Sequence, residues 1–82
     1  MFNIYGKPNC KSCMDTKKLL SDRGDDFTYL SLGSDYDYDK ILEINPNHKS
    51  MPMVTNVVGG VENYIGTLQD LKEYLNNTRN ST

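Results

Sequence analysis

The chain holds two cysteines, Cys10 and Cys13, separated only by Lys11 and Ser12. A pair this close encloses a very small loop, so as a structural staple it would constrain the unfolded chain little. Secreted mini-proteins built on disulfides carry more cysteines at wider spacings. Cys-X-X-Cys in a small strand–helix–strand context reads instead as a redox motif. Where such a pair opens a helix, unpaired amide N–H groups and about half a positive charge favour a thiolate. Lys7 and Lys11 add positive potential. The thiolate is the nucleophile, and the second sulfur, one helical turn on, can attack a mixed disulfide and close the ring. Two other readings compete. Zinc would need four ligands, and His48 is the one other soft candidate. Two inert buried thiols are also conceivable, because free cysteine is often a small hydrophobe. The polar neighbours Lys11 and Ser12 argue against that.

Ser50-Met51-Pro52-Met53-Val54 forms a second constellation. Proline at the head of a strand removes a ladder donor, and alone it would mark an edge or a turn. Beside a Cys-X-X-Cys helix, a cis Met51–Pro52 bond would turn the Met51 backbone toward the sulfurs. There it could pair with an extended thiol substrate, as an added strand does.

The elements that must position these residues follow from periodicity and breakers. Residues 2–5 alternate apolar and polar and read as a strand. Gly6 to Asn9 is a turn, and a helix starts near Cys10 or Lys11 and stops at Arg23, before Gly24. Met14, Leu19 and Leu20, with Cys13 and Thr16, supply its apolar spacing. Residues 27–31 read as a second strand, parallel to the first. A second helix is expected over 35–44, capped by Ser34 or Asp35, with Ile41, Leu42 and Ile44 inward. Residues 53–58 and 61–65 are strands joined by the hairpin signal Gly59-Gly60. The last helix is expected over 67–76, with Thr67 as cap and Asp70 as the capping-box acid. Leu68, Leu71, Tyr74 and Leu75 form its expected buried face. The order is βαβαββα, an α/β domain over residues 1–76 with a four-stranded mixed sheet and helices on both faces. Residues 77–82 are polar and expected to fray. The sequons at Asn76 and Asn80 read as chance matches.

Composition bounds the function. At 82 residues the chain makes one domain, with a thin core. Its net charge of −2 argues against nucleic acid, which takes a basic surface. No apolar run approaches the ~18 residues that span a bilayer. The opening residues lack the features of a signal peptide, so the expected location is the cytoplasm. Charge is unevenly spread. Lys7, Lys11, Lys17 and Lys18 face one acid, Asp15, in the first 18 residues. Seven acids face Arg23 and Lys40 over residues 22–43, and a solvated face is the simplest account of them. Tyr36 and Tyr38 within that run suit either an aromatic face on the core or a partner patch, the first being favoured.

Four segments in order resemble the glutaredoxins, of the short phage-type dithiol kind. They are Tyr5-Gly6-Lys7 leading into Cys10-Lys11-Ser12-Cys13, then Lys18-Leu19-Leu20, then Ser50-Met51-Pro52, then Ile65-Gly66-Thr67-Leu68-Gln69-Asp70-Leu71. The third is similar to the family's Thr-Val-Pro, and the fourth to its Ile-Gly-Gly-X-Asp-Asp-Leu. The resemblance spans residues 2–75. It implies the thioredoxin/glutaredoxin fold, with the second strand beside the first and the third on the first's other side. It implies Cys10 as exposed nucleophile and Cys13 as buried resolving thiol. It also implies a glutathione site formed by Lys7, Lys11, Ser12, Met51, Pro52, Leu68, Gln69 and Asp70. In that site Lys7 would lie near a carboxylate, the Met51 backbone would pair with the cysteinyl unit, and the Leu68 and Gln69 amides would hold the γ-glutamyl carboxylate. No metal and no permanently bound cofactor is implied; glutathione is the reductant. Disulfide-bearing proteins such as ribonucleotide reductase are the implied partners of a monomer.

Three positions depart from the family. Lys11-Ser12 stands where Pro-Tyr is usual, which alters the expected potential and removes an aromatic from the groove. Thr67 replaces the second glycine. Gln69 replaces the first aspartate, a charged contact to the glutathione amine, although Asp70 is adjacent. These changes bear on glutathione affinity more than on thiol chemistry. They leave room for a carrier reduced by thioredoxin reductase. An iron–sulfur-binding module and a non-catalytic interaction domain are the further alternatives.

Overall fold

Alternation along the first strand divides the molecule. In β1 (Phe2–Gly6), Ile4 and Tyr5 are both buried, on opposite faces of a sheet. The computed structural model describes residues 1–48 and 50–80, and of residues 77–80 the backbone. β1 is followed by α1 (Lys11–Arg23), β2 (Phe27–Ser31), α2 (Tyr38–Ile44), β3 (Met53–Val58), β4 (Val61–Gly66) and α3 (Leu68–Asn80). The strands lie in the order β2-β1-β3-β4. β1 pairs parallel with β2, from Phe2 opposite Phe27 to Gly6 opposite Ser31. It pairs antiparallel with β3, which sets Ile4 against Val54 and Tyr5 against Met53. β3 and β4 form the hairpin expected at Gly59-Gly60, where both glycines take positive φ. That is the backbone a two-residue hairpin turn with strand-matching twist requires.

One face buries Ile4, Leu20, Val54, Leu71 and Leu75 beneath α1 and α3. The other buries Tyr5, Ile41 and Met53 beneath α2, with Leu30, Tyr36, Ile44 and Met51 packed around them. Helices therefore cover both faces, as the element order implied. Tyr36 settles on the core: its ring stands edge-on to Tyr5 at 5.1 Å, and its hydroxyl donates to the Gly6 carbonyl at 2.8 Å. Tyr38 is exposed.

Several boundaries differ from the sequence expectation. α2 begins at Tyr38 after Asp37, not at residue 35. The Asp35 carboxylate instead accepts the Ser31 amide at 2.8 Å, and the Gly33 amide donates to Tyr36, so both residues belong to a turn. α3 runs to Asn80, past the expected end at residue 76, because no glycine or proline follows Leu75 to stop it. Ser81 and Thr82 lie outside the described residues. Three expected core side chains face outward. Leu42, expected inward on α2, is 41% exposed, leaving Ile41 as that helix's buried residue. Met14 is 48% exposed, and Tyr74 is 36% exposed with its ring edge-on to Phe2 and its hydroxyl accepting from Asn56. Thr16 and Cys13 occupy the inner side of α1 instead.

Candidate active site

The turn after β1 aims the first cysteine. At Gly6 the Tyr29 phenol of β2 occupies the space of a Cβ, so a larger residue there would have to displace that ring. Asn9 takes a positive φ of 59°, a conformation that asparagine tolerates better than most residues. Cys10 follows in extended backbone as the N-cap of α1, and its Sγ accepts the Cys13 amide at 3.2 Å. The sulfur thus takes the place of a capping oxygen. The two cysteines are joined as a disulfide, with their Cα atoms 5.2 Å apart.

Their exposures differ. Cys13 is completely buried, while Cys10 is partly exposed and opens onto a groove. Behind them Thr16 is fully buried and its hydroxyl donates to the Ser12 carbonyl at 2.7 Å. No acid lies in the first turn of α1. Asp15, one residue further along, is held by Lys11 at 3.3 Å. The positive helix end therefore faces the sulfurs with little opposing charge, the condition that stabilises a thiolate once the disulfide is reduced.

Two grooves flank the pair. The smaller, about 350 Å³, is lined by Ser12, Ser50, Met51, Pro52, Thr67, Leu68, Gln69 and Lys72. Here the Met51–Pro52 peptide bond is cis. The larger, about 740 Å³, is lined by Lys7, Pro8, Asn9, Cys10, Lys11, Met14, Tyr29 and Ser31. The residues named from the sequence thus divide. Ser12, Met51, Pro52, Leu68 and Gln69 come together in the smaller groove; Lys7 and Lys11 line the larger one. Asp70 lines neither. Its carboxylate accepts the Thr67 amide at 3.0 Å and the Thr67 hydroxyl at 3.2 Å, and it fills the space a Gly66 side chain would need. Its role at the cap is the one its spacing from Thr67 implied.

Lys72 escaped the sequence reading. It lies four residues after Leu68, the neighbouring position on one helix face, so helical periodicity from the cap carries the signal. Tyr29 and Ser31 also escaped, because only the parallel register of β1 and β2 brings them beside Lys7. His48 is a loop histidine, but a buried one: its Nδ1 lies 2.7 Å from the Tyr64 hydroxyl. Among the described residues, no three His, Cys, Asp or Glu side chains gather as a metal-binding group.

No protein-family model matches the sequence, and no curated protein matches it either. Solved structures do match. A buckwheat glutaredoxin, crystallised as a glutathione complex, superposes with a TM-score of 0.72 at 22% identity, covering 94% of this chain and 69% of that one. The chain has the glutaredoxin fold. The glutaredoxin of Brucella melitensis gives a TM-score of 0.65 at 22% identity, covering 93% of this chain and 78% of its own. A thioredoxin-like protein gives 0.61 at 20% identity, covering 92% and 99%. The fold read from the motifs, its strand order included, is therefore borne out. The Cys10–Cys13 disulfide stands on that fold at the N-terminus of α1.

Proposed function

We propose that the chain is a glutathione-dependent thiol–disulfide oxidoreductase that reduces protein or glutathione mixed disulfides. The observation that carries this is the asymmetric disulfide at a helix N-terminus, with Cys10 partly exposed at a groove and Cys13 wholly buried. In the reduced dithiol, the Cys10 thiolate attacks one sulfur of the target. A Cys10–target bond forms, the target disulfide breaks, and the departing thiolate takes a proton. Cys13 then loses its proton and attacks the Cys10 sulfur. The second target thiol leaves, and the Cys10–Cys13 disulfide closes. Two electrons and two protons have moved from the dithiol to the substrate. Two glutathione molecules return them and become glutathione disulfide.

Glutaredoxin potentials of about −200 to −230 mV let a glutathione pool perform that last step. In this reading the Leu68 and Gln69 amides hold the γ-glutamyl carboxylate, the Met51 backbone pairs with the cysteinyl unit, and Lys7 attracts a carboxylate. The buckwheat complex supports glutathione as the small thiol. A monomer acting in the cytoplasm on targets such as ribonucleotide reductase completes the proposal.

One observation favours a second reading. Asp70 is committed to the Thr67 cap and position 69 is a glutamine, so among the described residues no carboxylate lines the smaller groove to meet a glutathione amine. A carrier reduced by thioredoxin reductase needs no such contact.

One assay separates the two readings. Turnover of a small mixed disulfide is measured with glutathione and glutathione reductase, or with thioredoxin reductase. Turnover in the first arm, lost in Cys10→Ser, is expected. Turnover in the second arm alone would transfer the assignment to the carrier.

A further inference from the structure

The larger groove plays no full part in holding a small thiol, yet it opens directly onto Cys10. Its floor is apolar. Pro8, Met14 and the Tyr29 ring form it, and Met14 stays half-exposed one turn beyond Cys10, where it fills no core space. Gly6 leaves the room in which the Tyr29 ring lies. The rim is basic: Lys7 and Lys11 line it, and the Lys17 ammonium stands 5.4 Å from the Tyr29 ring centre. Among the described residues, neither Lys7 nor Lys17 makes an ion pair. The neighbouring acids are already engaged, Asp15 by Lys11 and Asp35 by the Ser31 amide. The groove is also about 740 Å³, against about 350 Å³ for its neighbour.

We propose that this groove receives the protein side of the substrate: an acidic segment with an apolar side chain next to its disulfide-bonded cysteine. The apolar residue packs on Met14, Tyr29 and Pro8, and acidic residues beyond it meet Lys7 and Lys17. Met14 suits this role because a flexible thioether adapts to differing side chains. The charges act mainly on encounter, and salt screens them. The inference rests on the oxidoreductase reading and adds a preference among protein substrates.

The test uses the full chain and three substrates: hydroxyethyl disulfide with glutathione, and two peptides carried as glutathione mixed disulfides. One peptide has phenylalanine beside its cysteine and flanking aspartates and glutamates. The other has the same frame with lysines. The acidic peptide is expected to react with a kcat/KM on the order of 10-fold higher at low salt, most of it lost in 0.5 M salt. Lys17→Glu and Met14→Gln lower the acidic-peptide rate about 3-fold or more and leave the hydroxyethyl disulfide rate unchanged. Equal rates for the two peptides, with the small disulfide turned over normally, overturn the proposal and spare the oxidoreductase reading. If the small disulfide is not reduced, that reading falls. Binding of the acidic peptide with serine in place of its cysteine then decides the groove. Shifts in the Met14 and Tyr29 resonances uphold it, and their absence ends it.

Discussion

The two faces of the sheet are built differently. Beneath α1 and α3 the buried residues are aliphatic: Ile4, Leu20, Val54, Leu71 and Leu75. Beneath α2 the apolar cluster is smaller and gives way to a carboxylate. Glu62 Oε2 accepts from Asn3 Nδ2 at 3.1 Å and from the Tyr5 and Thr55 hydroxyls, each at 2.5 Å. Burial pushes the Glu62 carboxyl up, but the bonds from Thr55, Tyr5 and Asn3 and the charge of Lys40 outweigh it, leaving it below the ordinary carboxylate range. Burial, then the bond to Glu62, pushes the Tyr5 phenol well above its usual value. Burial likewise pushes Tyr36 up to about 12. The helix that Cys10 caps and Cys13 belongs to thus sits on the aliphatic face, and the titrating network sits on the other.

The difference can be broken from either side. The largest effect is expected at Leu20→Ala, which empties a fully buried site under α1. It should cost about 2–5 kcal/mol in urea unfolding with the disulfide intact. A loss below ~1 kcal/mol would mean that α1 is not held by this core. Next comes Glu62→Gln, which leaves three donors with a neutral partner and should cost about 1–3 kcal/mol.

The same substitution sharpens the pH contrast. The Glu62 carboxyl is depressed in the fold, so its stabilisation is present above the unfolded value near ~4.3. It is lost as pH falls through the lower folded value. The Tyr5 phenol is raised, so its contribution is full below ~10 and declines as pH rises toward its folded value. Glu62→Gln should flatten the acid limb of stability against pH, and an unchanged limb would place acid sensitivity elsewhere. The smallest effect is expected at Lys18→Ala. It removes an exposed pair with Asp22 at 3.1 Å on α1. Unfolding should move by less than about 0.5 kcal/mol.

Legibility in the sequence followed the range of the interactions. α1 and its stop at Gly24 were readable because capping and periodicity are local. Asp70 was readable as a cap acid for the same reason, and its distance from the groove was not. The start of α2 was missed because the Asp35 side chain bonds back to β2 rather than to the helix that follows. The Glu62 network was invisible: two of its donors lie 59 and 57 residues away, joined only through the order β1-β3-β4.

By itself, then, the sequence determined the element order, the hairpin at Gly59-Gly60 and the redox pair, since each rests on residues within one or two helical turns of one another. Tertiary structure alone decided how the candidate site residues divide between two grooves, and where a carboxylate is half-buried among hydroxyl and amide donors. Each of those depends on strand register and on helix packing across the sheet, which bring together side chains that no local pattern relates.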